Sequence, residues 1–260
     1  MATIALISGS GFYQLAQAST NERVTTPFGL VDLQRGNWQG HDLVFLARHG
    51  RSHSHLSHQI NHQAHLQACH LLNVEAIVAC SIVGVINPAL PLGQLYLPNE
   101  LYFPDNRLPD GAACTIFTEP SKAGRGHLIA ADHFNQGLGK QLIAAASASD
   151  LPIKSQRVYG QVMGPRFNSK SEIRALALAG VEIISQTLGP EAVLAAELEI
   201  PYAALCFGVD YANGVQPEPT PIATLEANLK VSKAQFIQVL STWLAAYQPA
   251  SYEGFVYRFD

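Results

Sequence analysis

Ala76-Ile77-Val78-Ala79-Cys80-Ser81-Ile82-Val83-Gly84-Val85 is the stretch of sequence that decides the fold. It is uncharged and rich in β-branched residues, which is typical of a strand buried on both faces inside a parallel sheet. Two similar apolar runs lie far from it along the chain, Thr3–Ile7 and Tyr202–Val209. A sheet with these three runs near its centre needs helices on both faces to cover it.

Segments with helical periodicity alternate with the apolar runs. Helices are expected over Ser57–Asn73, Asn135–Ala148, Ser169–Ala179 and Pro190–Glu199, and in a C-terminal region with Phe236, Val239, Leu240 and Trp243–Leu244 as its packing face. Further strands are expected over Val31–Trp38, Leu43–Ala47, Arg157–Val162 and Val181–Ser185, with edge strands and loops in the proline-punctuated residues 86–128. The alternation predicts an α/β three-layer sandwich with a mixed, mainly parallel central sheet flanked by helices, in a single domain over residues 1–260.

The overall composition excludes several classes of protein. Only 14% of the residues are charged, the net charge is −4, and no basic run is present, so neither a nucleic-acid partner nor a membrane surface is expected. No apolar stretch approaches the roughly 20 residues of a membrane span. The four cysteines are scattered without a CxxC pair or a secretory signal, which predicts a cytoplasmic protein. The low charge is in keeping with an oligomer.

Several polar groups follow predicted strands, where α/β sheets place their ligand groups. Arg48 and His49 emerge together after Leu43–Ala47, and the arginine fork suits a phosphate. Asp210 ends the strand Tyr202–Val209, where it is either a binding or proton-transfer group or a turn former. Phe167 follows Gly164-Pro165-Arg166 on a loop, where it either stacks on a flat heterocycle or plugs the core.

The turn Ser8-Gly9-Ser10-Gly11 after the first strand has two interpretations. Its glycines let backbone N–H groups approach a phosphate and Ser10 adds a hydroxyl, or it is simply a structural turn. It is not a dinucleotide fingerprint, because Gln14 stands where the third glycine is needed, and it lacks the lysine of a P-loop.

Eight of the ten histidines fall between His41 and His70. Three of them, His58, His62 and His65, share one face of the predicted helix, opposite the apolar positions Ile60, Ala64 and Leu71. Such a face could hold zinc, but no acidic residue nearby completes the ligand set. The preferred interpretation is therefore a polar surface or subunit contact, and no metal site is expected.

Collinear blocks give the chain a specific resemblance. It resembles the trimeric purine nucleoside phosphorylase superfamily, and within it the methylthioadenosine/methylthioinosine phosphorylase branch. The similar blocks are Thr26-Pro27-Phe28-Gly29, Leu46–His53, Asn61-His62-Gln63-Ala64, Gly164-Pro165-Arg166-Phe167, Gln186-Thr187, Pro190-Glu191 and Asp210-Tyr211. The resemblance implies a homotrimer that acts on a purine nucleoside, with inorganic phosphate as co-substrate and no cofactor.

The resemblance also assigns roles to residues. Phosphate binding is implied for Ser10, Arg48, His49, Ser81 and Thr187. Asp210 matches the carboxylate that serves N7 of the departing purine, and Phe167 would stack on the base. His53 matches a residue that lines the pocket for the 5′ substituent. Gln186 takes the place of a methionine that commonly packs under the ribose.

The chain departs from the family pattern at several positions. Ser8 and Ser10 replace a glycine and a threonine, Cys80-Ser81 replaces a threonine pair, and Gln94 and Met163 replace acidic residues. Adenine-specific members carry a second acidic residue where this chain has Ala212, so a 6-oxopurine substrate such as S-methyl-5′-thioinosine is expected. The rivals are a methylthioadenosine phosphorylase, with water or Asn213 compensating for Ala212, and a purine-binding homologue that has lost turnover.

Overall fold

A computed structural model describes residues 1–9 and 17–259 of the chain. The strands are β1 Thr3–Ser8, β2 Gln17–Thr26, β3 Gly29–Trp38, β4 His41–Ala47, β5 Ala76–Val85, β6 Leu95–Tyr102, β7 Gly126–Ala130, β8 Ile153–Gln161, β9 Ile183–Ser185, β10 Tyr202–Tyr211 and β11 Gly254–Arg258. The helices are α1 His62–Leu71, α2 Gln136–Ala148, α3 Lys170–Leu178, α4 Leu188–Glu197 and α5 Ile222–Ala245, together with short 3₁₀ turns at Arg51–His53 and Ser57–Gln59.

The large sheet of the described residues has nine strands in the order β10-β6-β8-β9-β5-β1-β4-β3-β2. β10 also pairs with β5, so five of the strands close into a ring at one end of the sheet. Parallel pairing joins β1 to both β4 and β5, β5 to β10, and β8 to both β6 and β9. The predicted mixed, mainly parallel sheet is confirmed; its partial closure was not predicted.

Two apolar cores flank this sheet because successive side chains of a strand point to opposite faces. On one face, Ala5 and Ile7 of β1 join the core that includes α1 and α4. On the other face, Ile4 and Leu6 join the core that includes α2 and α5, where Trp243 is 1% exposed. Helices therefore cover both faces, as the three-layer prediction requires.

The start of α1 differs from the prediction. The helix begins at His62, with the Asn61 side chain accepting a hydrogen bond from the Ala64 N–H at 2.9 Å, whereas Ser57 lies in a separate 3₁₀ turn. An asparagine at the N-cap satisfies one of the free N–H groups of the first turn, which explains the later start. The apolar face expected for this helix is partly wrong, because Leu71 is 48% exposed.

The C-terminal part also differs, since α5 is one helix of 24 residues and β7 pairs with β11 in a small second sheet that the sequence did not predict. None of the helices in the described ranges is long and apolar enough to cross a membrane.

Candidate active site

A cavity of about 650 Å³ opens at the carboxyl ends of the parallel strands. We call it the strand-end cavity. The ends of β1, β4, β5 and β10, the turn after β9, the loop before α3 and one side of α5 form its walls. The cavity brings together the predicted site residues Arg48, His49, His53, Ser81, Phe167, Gln186, Thr187, Asp210 and Ala212. Ser10, the remaining predicted residue, lies outside the described residues.

Arg48 is held more tightly than the sequence suggested. It is only 2% exposed, and Glu191 of α4 accepts two hydrogen bonds from it, from Nε at 2.5 Å and from Nη2 at 3.0 Å. Nη1 donates to the Cys80 carbonyl at 2.9 Å. Burial by itself would lower the pKa of this guanidinium, but the Glu191 carboxylate outweighs it and raises the pKa above its ordinary value. Arg48 is thus a fixed cation at the cavity wall.

Sequence reasoning missed the role of Glu191. The signal was present, because Glu191 lies in the first turn of a helix whose other residues up to Ala196 carry no charge. A carboxylate that is 0% exposed in such a helix needs a cationic partner, and Arg48 is that partner.

His49 and His53 form a stacked pair beside Arg48, with ring centroids 4.5 Å apart and planes 11° from parallel. His49 Nδ1 is 3.0 Å from the His55 carbonyl and donates to it. Burial, followed by the charge of Arg48, lowers the pKa of His49 to about 4. The lowered pKa favours the uncharged form of the His49 imidazole at neutral pH.

Hydroxyl groups surround the same end of the cavity. Ser81 lies 3.2 Å from the Ser185 hydroxyl, and Thr187 is the N-cap of α4 but makes no side-chain capping bond in the described structure. Ser8 is 2% exposed, and its hydroxyl has no hydrogen-bond partner among the described residues. A buried hydroxyl without a partner is costly, which fits a position beside a polar ligand.

The opposite end of the cavity holds Asp210 and Ala212. Burial raises the pKa of the Asp210 carboxyl from 3.8 to about 6, so that it carries a proton part of the time near neutrality. Gly84 lies beside it in the sheet, and a Cβ there would be in ordinary contact with Asp210 Oδ1 at 3.8 Å. Ala212 is 9% exposed and brings only a methyl group to this wall.

Phe167 lies at the rim of the cavity and is 78% exposed, so the core-plug interpretation is wrong. The backbone of its loop accepts a hydrogen bond at the residue before Phe167 and at the residue after it. The Gln186 amide donates to the Arg166 carbonyl at 3.2 Å, and the Asn213 amide donates to the Asn168 carbonyl at 2.8 Å. The exposed ring is therefore free to contact a ligand while its backbone stays anchored.

Gln186 itself joins three parts of the cavity wall. Besides its bond to Arg166, its Oε1 accepts a hydrogen bond from the Ser57 hydroxyl at 2.6 Å. A Cβ at Gly164 would lie 2.0 Å from Gln186 Oε1, so this glycine is required for the close approach. Gln186 is thus a hydrogen-bonded bridge between the Ser57 turn and the loop before α3.

Of the other departures from the family pattern, Cys80 lines the cavity and two do not. Cys80 is 3% exposed and lies in the cavity wall, but it serves Arg48 through its backbone carbonyl, so the side-chain change leaves that bond intact. Gln94 and Met163 are not among the lining residues of the described cavity. An uncharged side chain at these two positions therefore does not directly change the wall of the strand-end cavity.

The expected polar histidine surface is wrong for His62. Its ring is 0% exposed and faces α4, with Nδ1 3.9 Å from Glu191 Oε1, because α1 packs against α4 along this side. Burial lowers the pKa of His62 to about 3. Within the described ranges, no group of three or more histidine, cysteine or acidic residues is arranged to hold a metal ion.

Comparison with known proteins places the chain in a family. A family model described as "Phosphorylase superfamily" matches residues 3–245. The chain is 35% identical over 229 residues to the 6-oxopurine nucleoside phosphorylase of Pyrococcus furiosus, covering 83% of this chain and 82% of the relative. It is 32% identical over 249 residues to a Pseudomonas syringae pv. tomato protein named "Probable S-methyl-5'-thioinosine phosphorylase", covering 93% and 99%.

A solved structure of this kind of enzyme has a similar fold. The crystal structure of a methylthioadenosine phosphorylase from an Antarctic soil metagenomic library matches with a TM-score of 0.85 and 26% identity, over 96% of this chain and 88% of that one. The chain therefore belongs to the phosphorylase superfamily.

Proposed function

We propose that this chain is a purine nucleoside phosphorylase that cleaves a 6-oxopurine nucleoside, most specifically S-methyl-5′-thioinosine, to the free purine and methylthioribose 1-phosphate. Relatives named for both 6-oxopurine nucleosides and methylthioinosine support the substrate class. One observation carries the choice of base. The cavity wall holds the carboxyl of Asp210 but, two residues further on, only the methyl group of Ala212.

The proposed reaction uses the two ends of the cavity. Phosphate, held by Arg48 and the surrounding hydroxyls, attacks the anomeric carbon, and the bond from that carbon to the purine nitrogen breaks with its electron pair leaving on the base. The sugar is positively charged in the transition state, which the phosphate anion stabilises. Asp210 donates its proton to N7 of the departing purine, a role that its raised pKa favours.

The base preference follows from hydrogen bonding. A carboxylate at position 212 would accept from the amino group of adenine but would repel O6 of a 6-oxopurine. Ala212 removes both effects, and such a mismatch is worth roughly 1–3 kcal/mol, or about one to two powers of ten in rate. For the 5′ substituent, Leu225 and Leu229 of α5 line the cavity with apolar groups that suit a methylthio group.

The test is purine release from S-methyl-5′-thioinosine and from 5′-methylthioadenosine, each with and without phosphate. We expect phosphate-dependent release with methylthioinosine preferred. A preference for methylthioadenosine would support the phosphorolysis reaction and refute the assignment of the base. The similarity to the solved methylthioadenosine phosphorylase favours this second candidate substrate. Absence of release from both, with inosine and guanosine also inert, would instead support a homologue that binds purines without turnover.

The proposal includes a cytoplasmic homotrimer that uses inorganic phosphate and no cofactor. Four free, buried cysteines are in keeping with a reducing compartment. Large apolar side chains are exposed on β7, β11 and the segment after β11, and a partner subunit could cover them: Ile129, Phe255, Tyr257 and Phe259. Light scattering of the purified protein should give three times the 28.1 kDa chain mass; a monomer would refute the trimer.

A further inference from the structure

The orientation of Arg48 is set by one residue outside the cavity wall. A guanidinium has five N–H groups. Three of those on Arg48 donate to Glu191 and to the Cys80 carbonyl, which leaves one on Nη1 and one on Nη2 without a partner among the described residues. Nη1 lies near Gly9, since a Cβ on this glycine would be 4.0 Å from it. The two remaining N–H groups are those with which Arg48 can contact a phosphate in the cavity.

Glu191 is in turn fixed from a third direction. Tyr202 of β10 donates a hydrogen bond to Glu191 Oε2 at 2.9 Å, and the phenol is 2% exposed. Burial, supported by the charge of Glu191, raises the pKa of Tyr202 well above its ordinary value, so the phenol remains a donor. His62 also faces the carboxylate, but at 3.9 Å it is too far for a hydrogen bond. The carboxylate thus accepts three bonds, all of them fully enclosed by protein.

We propose that Glu191 is a positioning residue of the phosphate site: it holds the Arg48 guanidinium so that its two free N–H groups face the strand-end cavity. This inference rests on the proposed function, in which phosphate binds at Arg48. A bidentate pair fixes both the plane and the rotation of the guanidinium, which a single hydrogen bond would not. Because the pair is buried, no water competes for either partner.

The experiment compares Glu191→Gln with wild type. The amide keeps one acceptor but cannot accept from both Nε and Nη2. We expect the KM for phosphate to rise about tenfold or more while the KM for the nucleoside stays within about twofold, because only the guanidinium loses its orientation. An unchanged or lowered KM for phosphate would overturn the proposal, the latter by showing that Glu191 acts only as a competing charge.

A matched control separates positioning from general loss of stability. Glu197 lies on the same helix, is 8% exposed and accepts hydrogen bonds from Thr115 and the Ile116 N–H. It does not line the strand-end cavity. Glu197→Gln should lower the melting temperature without changing the KM for phosphate. An equal rise of that KM in both variants would overturn the proposal.

Two further measurements keep the test decisive if Glu191→Gln does not fold or if the wild type shows no turnover. Tyr202→Phe removes one bond to Glu191 and leaves the ion pair, so it should raise the KM for phosphate in the same direction by a smaller factor. Binding of inorganic phosphate alone is read from the phosphate-induced rise in melting temperature, which does not depend on turnover. A wild type that is stabilised by phosphate but releases no purine refutes the proposed function alone. Equal phosphate stabilisation of wild type, Glu191→Gln and Tyr202→Phe refutes the role of Glu191.

Discussion

Asp210 lies where a buried strand ends at the strand-end cavity, and its burial determines how readily its carboxyl ionises. Its carboxyl has a pKa raised to about 6, whereas the imidazole of His49 has a pKa lowered to about 4. In both residues burial favours the uncharged form. In the proposed function, the buried cation that the described part of the cavity offers to a phosphate is Arg48, whose charge Glu191 balances.

Replacement of Asp210 by asparagine tests its role as proton donor. We expect the rate of purine release to fall by about 10²–10⁴-fold, which is the usual contribution of a general acid. In wild type, kcat/KM should decline as the pH rises above about 6, because the protonated carboxyl is lost, and Asp210→Asn should lack this limb. A pH profile that is the same in both proteins would contradict the assignment.

The same substitution has a consequence for stability. The folded-state pKa of Asp210 is raised, from 3.8 to about 6, so the native state binds the proton more tightly than the unfolded chain does. The ionised carboxylate therefore destabilises the fold increasingly as the pH rises from about 4 to about 6. Asp210→Asn should melt at the same temperature as wild type near pH 4 and at a higher one above pH 6, as measured by calorimetry.

In the proposed function, the choice of base depends on Ala212. Ala212→Asp should raise the ratio of kcat/KM for methylthioadenosine to that for methylthioinosine by about one to two powers of ten, because the new carboxylate accepts from the adenine amino group and repels O6. Ala212→Asn is the matched control, since its amide can turn to suit either base and should shift the ratio less. An unchanged ratio in Ala212→Asp would show that the base is read elsewhere.

Among the structural elements, the loop before α3 connects stability with the site. Ser169 caps α3 by accepting from the Glu172 N–H at 3.3 Å, and the Glu172 carboxylate accepts from the Ser169 N–H at 2.7 Å. Arg166 donates to both oxygens of the same carboxylate. This arrangement fixes the end of the loop that carries Phe167.

Ser169→Ala should remove the cap at a cost of about 1 kcal/mol, which corresponds to a fall of about 2–4 °C in melting temperature for a domain of this size. Ser171→Ala is the control, because it removes an exposed hydroxyl from the same helix without removing the cap and should change stability by less than about 0.5 kcal/mol. Equal melting temperatures for the two variants would show that the cap does not contribute.

Across the whole molecule, apolar cores cover both faces of the sheet, and residues of both, Val83 and Val209, also line the cavity. α5 contributes to both tasks: Phe236 packs in the core beneath the sheet and also lines the cavity. A helix that closes one core is thereby also a wall of the site. Loosening this core should therefore affect both the fold and the site.

Leu240→Ala, at a position 1% exposed on α5, should lower the free energy of unfolding by about 2–5 kcal/mol, because it leaves a cavity in a close-packed core. Leu178→Ala, at a position 90% exposed on α3, should change it by less than about 0.5 kcal/mol. Denaturant unfolding of the two variants measures this difference. Similar losses would mean that α5 is not packed on the sheet as described.

The sequence by itself determined the layer architecture and the chemistry of the strand ends. β5 and β1 could be predicted from uninterrupted apolar runs, and Arg48 and Asp210 from their positions just after such runs, because an apolar run and the direction of the chain are properties of the local sequence. The start of α1 was misplaced because the Ser57 hydroxyl bonds Gln186, a residue distant along the chain, whereas Asn61 caps the helix.

Only the tertiary structure decided the partners. The Arg48–Glu191 pair joins residues 143 positions apart, and the Gln186–Ser57 bond joins residues 129 positions apart. The burial of His62 and the exposure of Phe167 likewise depend on which elements meet. No periodicity along the chain encodes these contacts, since hydrogen bonds and charge shifts are set by distances in space that only the folded sheet and its helices establish.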